Sequence, residues 1–139
     1  MKIEITDTRS HLTIGFGEPL APRSRSIDRE WAKVTLQAEV PGFQAAFPTE
    51  IRLGEIDGFY KGLRKLYDEL QGTAQIDTLE GVLRIVATMD RAGHIDWTVD
   101  LRYPISSPRA AHLQFEMLSD QSFLLPLLAQ LDAVMAHYL

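Results

Sequence analysis

Residues 95–117, IDWTVDLRYPISSPRAAHLQFEM, decide the fold. Ile95, Trp97, Val99, Leu101 and Tyr103 alternate with Asp96, Thr98, Asp100 and Arg102. After the break at Pro104–Pro108, Ala111, Leu113, Phe115 and Met117 alternate with His112, Gln114 and Glu116. Successive strand residues point to opposite faces, so a period of two describes a sheet with one dry and one wet side. An antiparallel platform with its apolar face covered by helices is the architecture this pattern requires.

Working back from Ile95, the turn Asp90–His94 sets the register. With Met89 opposite Ile95, Ala87 meets Trp97, Ile85 meets Val99 and Leu83 meets Leu101. Arg91-Ala92-Gly93 is then a three-residue loop with glycine at its left-handed position. The same register sets Arg84 opposite Asp100, a cross-strand pair worth roughly 0.2–1 kcal/mol. A further strand, 73–79, joins 82–89 through Glu80-Gly81.

The first half carries the same signal. Ile3 and Ile5 begin one strand, Leu12, Ile14 and Phe16 a second, and Val34, Leu36, Ala38 and Val40 a third. A two-residue connection at Pro41-Gly42 sets Val40 opposite Phe43, Ala38 opposite Ala45 and Leu36 opposite Phe47. Pro-Gly prefers a type II turn, whose twist suits a tight hairpin poorly, so a wider connection is the competing reading. Pro48 marks a bulge or an edge, and Phe43 and Phe47 are read as core. Residues 55–70 change to helical spacing, with Ile56, Phe59, Leu63, Leu66, Tyr67 and Leu70 in one stripe and Gly72 placed to end it. Gly58 and Gly62 cost about 1 kcal/mol each against alanine and suggest a close helix–sheet approach. A last helix follows Asp120 or Ser122 as cap, with Pro126 in its first turn and Leu127, Leu128, Leu131, Val134, Met135 and Tyr138 buried. The expected fold is α+β: a curved antiparallel sheet of about seven or eight strands with two amphipathic helices on its apolar face. Both halves run four strands and then a helix.

At 139 residues the chain is expected to form one domain, 1–139, with a self-sufficient core. Residues 18–30, rich in Pro, Ser and Arg, read as a surface loop whose Arg23, Arg25 and Arg29 could alternatively hold an anion. The absence of cysteine excludes disulfides and thiolate chemistry and fits a reducing cytosol. A net charge of −5 argues against nucleic acid as partner and permits a basic protein. No apolar leader and no membrane-spanning run is expected.

The residues that could carry chemistry do not form a catalytic set. His94-Ile95-Asp96 has metal-like spacing, but zinc sites need at least three protein ligands and none is apparent. His112, Gln114 and Glu116 share the wet face with Asp96, Asp100 and Arg102; an open face desolvates little, so solvated strand surface is favoured over acid–base catalysis. No nucleophile elbow, phosphate loop or H-E-x-x-H run is present. His11 and His137 have no partner visible in sequence, and Trp31 fits either a core position or an exposed anchor. No cofactor and no metal is expected.

Two stretches, FYKGLRKLYDELQGTAQIDTLEGVLRIVATMDRAGHIDWTVDLRY (59–103) and HLQFEMLSDQSFLLPLLAQLDAVM (112–135), resemble WapI-type immunity proteins and related small bacterial families of unknown function. The shared features are Leu63, Leu66, Leu70 and Gly72, then Leu79-Glu80-Gly81, then Phe115 followed by Asp120-Gln121-Ser122-Phe123-Leu124. The resemblance implies a cytoplasmic, non-enzymatic protein that binds and neutralises a cognate toxin. For such a role the expected partner-binding residues are Asp96, Asp100, Glu116 and Glu39, whose carboxylates can steer a basic partner. The alternatives are a small-molecule-binding or enzymatic domain with a cavity between sheet and helices, and a homodimeric structural or regulatory protein joined through a strand edge or sheet face.

Overall fold

The structure, a computed structural model, describes residues 1–17, 31–105 and 107–138; the expected loop 18–30 lies outside the described residues. Strands β1 (Lys2–Thr6), β2 (His11–Phe16), β3 (Trp31–Val40) and β4 (Phe43–Arg52) precede helix α1 (Leu53–Glu69). Strands β5 (Gly72–Asp77), β6 (Leu83–Met89), β7 (His94–Tyr103) and β8 (Ala111–Asp120) follow, then a 3-10 turn (Gln121–Phe123) and helix α2 (Leu124–Tyr138). The strands form two four-stranded antiparallel meanders, β1-β2-β3-β4 and β5-β6-β7-β8. Among the described residues, eight strands and two helices agree with the sequence reading, but the strands are divided between two sheets instead of continuing along one. The division falls at α1, which separates β4 from β5 in the chain.

Register follows the hydrophobic pattern throughout. Met89↔Ile95, Ala87↔Trp97, Ile85↔Val99 and Leu83↔Leu101 pair as the alternation demands. Val40↔Phe43, Ala38↔Ala45 and Leu36↔Phe47 pair likewise, so the tight Pro41-Gly42 connection prevails, with Gly42 at φ +83°. Pairing the wrong residues by one place would turn every apolar side chain to solvent. That penalty exceeds the poor twist of a Pro-Gly turn.

The inner faces of both sheets and the helices share one core. Each helix packs on the first strand of the other half, α1 along β5 and α2 along β1. At Gly62 an added methyl carbon would lie 3.2 Å from Ala74 Cβ, so glycine permits the close approach of α1 to β5; Gly58 has open space instead. Helix α1 begins at Leu53, with Glu55 reaching back to accept the Arg52 N–H at 3.2 Å. It ends at Leu70, which takes the left-handed conformation (φ 56°) expected of Gly72; Gly72 opens β5 instead. Asp120 accepts the Ser122 N–H at 2.9 Å and leads into α2, as the cap reading required.

Trp97 is fully buried, donates to Ser119 Oγ at 2.7 Å and meets Phe123 edge-on at 6.0 Å. Phe43 departs from its expected core role: it points to the inner side but is 65% exposed at the hairpin tip. Tyr103 is 43% exposed and stacks on buried Phe47 at 4.5 Å, linking the two sheets near their open ends. Trp31 is half-buried at the start of β3.

Candidate functional site

Two four-stranded meanders have four outer edges, and an edge strand carries backbone groups that invite a further strand. On β1, the Glu4 N–H donates to Gln130 Oε1 of α2 at 2.8 Å. Beside the β5 edge, α1 packs on the inner face of that strand, Gly62 against Ala74. On β4, Pro48 pairs with Thr35 but has no N–H, so this is a non-hydrogen-bonded pair and Pro48 faces the free side. A donor is thereby missing from the middle of that edge.

The fourth edge, β8, is different. The Leu118 N–H points away from β7 and donates to Asp7 Oδ2 at 3.2 Å. Backbone direction alternates along a strand, so His112, Gln114 and Glu116 also turn their N–H and C=O groups outward. All three are exposed, and β8 ends its sheet. Asp7 is held by the β1–β2 turn, its Oδ1 accepting N–H groups of Arg9 at 2.8 Å and Ser10 at 2.7 Å. Burial pushes the Asp7 carboxyl up, but these bonds and the one from Leu118 outweigh it and lower its pKa below the usual carboxylate value. An ionised carboxylate therefore stops the free edge at Leu118 and, among the described residues, leaves 112–116 open. Beside them runs a cleft of about 530 Å³, its opposite wall formed by Asp7, Arg9, Val40, Pro41 and Phe43.

The outer face of this second sheet carries three of the four expected partner-binding residues. Asp96 lies between Thr88 and Leu118, Thr98 pairs with Glu116, and Asp100 lies between Arg84 and Gln114. Glu116 is thus diagonal to both Asp96 and Asp100, and diagonal neighbours lie about 7–8 Å apart. Glu39 is on the other sheet, opposite His11 and Gln44, and does not join them. Arg84 is opposite Asp100 as expected, but its ion pair is with Asp77 at 3.7 Å. Asp100 instead accepts from Gln114 Nε2 at 3.2 Å and lies 3.7 Å from His112 Nδ1.

His94 sits 3.3 Å from Asp90 in its turn, and among the described residues no group of three His, Asp or Glu could hold a metal. His11, without a partner visible in sequence, lies 3.5 Å from Glu4, and His137 meets the Tyr138 ring edge-on at 5.1 Å. The cavity that the enzymatic alternative requires would lie between sheet and helices. The cleft at β8 and a neighbouring one of about 290 Å³ at Phe47 and Tyr103 are both lined by strands and turns alone. Sequence reasoning missed the bare β8 edge and Phe43. The alternation identifies a strand, whereas its place in the sheet order leaves no local mark. Among the described residues, no helix is long and apolar enough to cross a membrane.

The immunity protein WapI-like family matches residues 3–139. No curated protein and no solved structure matches the chain.

Proposed function

The chain belongs to the WapI-like immunity protein family, and from that premise we propose that it is a non-enzymatic, cytoplasmic binding protein. It neutralises a cognate toxin by occupying the toxin's surface. The family match over nearly the whole chain carries this reading. It is supported by the outer face of the second sheet, where Asp96, Asp100 and Glu116 lie close together beside Arg84 and Arg102. Carboxylates placed this way favour encounter with a basic patch and act mainly on the association rate. Glu39, on the first sheet, is the fourth candidate contact.

The decisive experiment co-expresses the protein with the product of the neighbouring reading frame. Protection and a stable complex are expected. The absence of both protection and a complex would sink the proposal. Within the complex, Asp96→Lys is expected to slow association roughly tenfold at low salt, with the deficit shrinking as salt is added. Glu39→Lys provides the contrast: a larger effect there would move the contact to the first sheet.

A further inference from the structure

We propose that the bare edge of β8, residues 112–116, docks a second copy of this chain, β8 against β8 and antiparallel about a two-fold axis at Gln114. The edge is self-complementary in that register. Gln114 faces the partner's Gln114, and the outward-turned groups of residues 112, 114 and 116 meet their counterparts in hydrogen-bonded pairs. About six backbone hydrogen bonds form across the axis. His112 falls opposite the partner's Glu116, and Glu116 opposite the partner's His112, so each end of the short ladder sets an imidazole against a carboxylate. On the inner side Leu113 meets the partner's Phe115, both half-buried in the isolated chain.

The surroundings fit the same occupant. His112 already directs Nδ1 toward Asp100, so Nε2 is the atom that would meet the incoming Glu116. Phe43 and Val40 line the cleft beside 112–116, so an arriving strand would cover the exposed Phe43 ring. Asp7 closes the edge at Leu118, and in this register Leu118 faces residue 110, one place before the partner's β8 begins. The stop therefore falls where the added strand ends. Isologous contacts of this kind close after two copies and do not propagate.

Sedimentation velocity over a concentration series tests the proposal with the intact protein. A dimer that forms with rising concentration is expected; a chain still monomeric at about 1 mM overturns it. Gln114→Pro removes the N–H at the axis and, with the side chain, the bond to Asp100, while leaving the backbone bonds to β7 intact, as Pro48 does on β4. Gln114→Ala, which loses the side-chain bond and keeps the N–H, is the control. The proline variant should weaken dimerisation at least roughly tenfold relative to Gln114→Ala, with the two variants melting alike at a dilution where both are monomeric. His112→Glu alone or Glu116→Lys alone should weaken the dimer, and the two together should restore it. A dimer indifferent to Gln114→Pro, or a double variant that fails to recover, overturns the register. A monomeric wild type whose toxin complex is lost on Gln114→Pro would assign the edge to a foreign strand and overturn the second-copy proposal.

Discussion

The two halves of the molecule follow the same plan, four strands and a helix, yet they treat their last strands differently. In the first half, β4 carries Pro48 on its free side, removing a backbone donor where another strand would pair. In the second half, β8 carries His112, Gln114 and Glu116 there, all competent to pair and all exposed. Its protection comes from elsewhere in the chain and only at one end, through Asp7 of the β1–β2 turn. The contrast shows how similar strand patterns can yield one blunted edge and one receptive edge. A single residue type decides the first, and a long-range contact limits the second.

The largest effect should come from breaking the core that both halves share. Trp97→Ala removes a fully buried ring and its bond to Ser119, and should cost about 3–5 kcal/mol. Because both sheets and both helices contribute to the same core, hydrogen exchange should show β2 and β6 losing protection together. If the first sheet stays protected while the second opens, the halves are independent units.

Asp7→Asn sharpens the comparison at the β8 edge. The carboxylate accepts three backbone N–H groups, and replacing it should cost about 1–3 kcal/mol in chemical denaturation. The pH dependence has a definite sign. The folded carboxyl titrates below its unfolded value, so its stabilisation is present above the unfolded pKa and is lost as pH falls through the folded one. Between neutral pH and about pH 3 the wild type should therefore lose more stability than Asp7→Asn. An equal loss in both would remove Asp7 from the edge's support.

The smallest change in stability, and the most direct probe of the two edges, is Pro48→Val. It restores a donor on exposed β4 and should alter unfolding free energy by no more than about 0.5 kcal/mol. Self-association should nevertheless rise in light scattering. Unchanged self-association would mean that Pro48 does not guard that edge.

Much of the second half was legible because periodicity and turn chemistry agree. Met89 could oppose Ile95 in only one register that buries Trp97, Val99 and Leu101 together, and Gly93 satisfies the left-handed turn that this register needs. Asp96, Asp100 and Glu116 were likewise assigned to one face, since parity along paired strands places them there. Parity could not separate Glu39 from them, because two wet faces look alike until the sheets are counted. The choice of Asp77 over Asp100 by Arg84 depends on a third strand entering beside it. Phe43 has the right parity for burial, but it lies at the hairpin tip, where the opposing sheet gives little cover.

The amino-acid order by itself determined which residues form strands and helices, which side of each is apolar, and how neighbouring strands pair. These are short-range consequences of side-chain period and turn geometry. Only the tertiary structure decided that eight strands divide into two sheets, that α1 and α2 each cover the other half's first strand, and that Asp7 meets Leu118 across 111 residues of chain. Those outcomes depend on which apolar faces bury each other most completely, a competition settled among distant segments and left unmarked in any one of them.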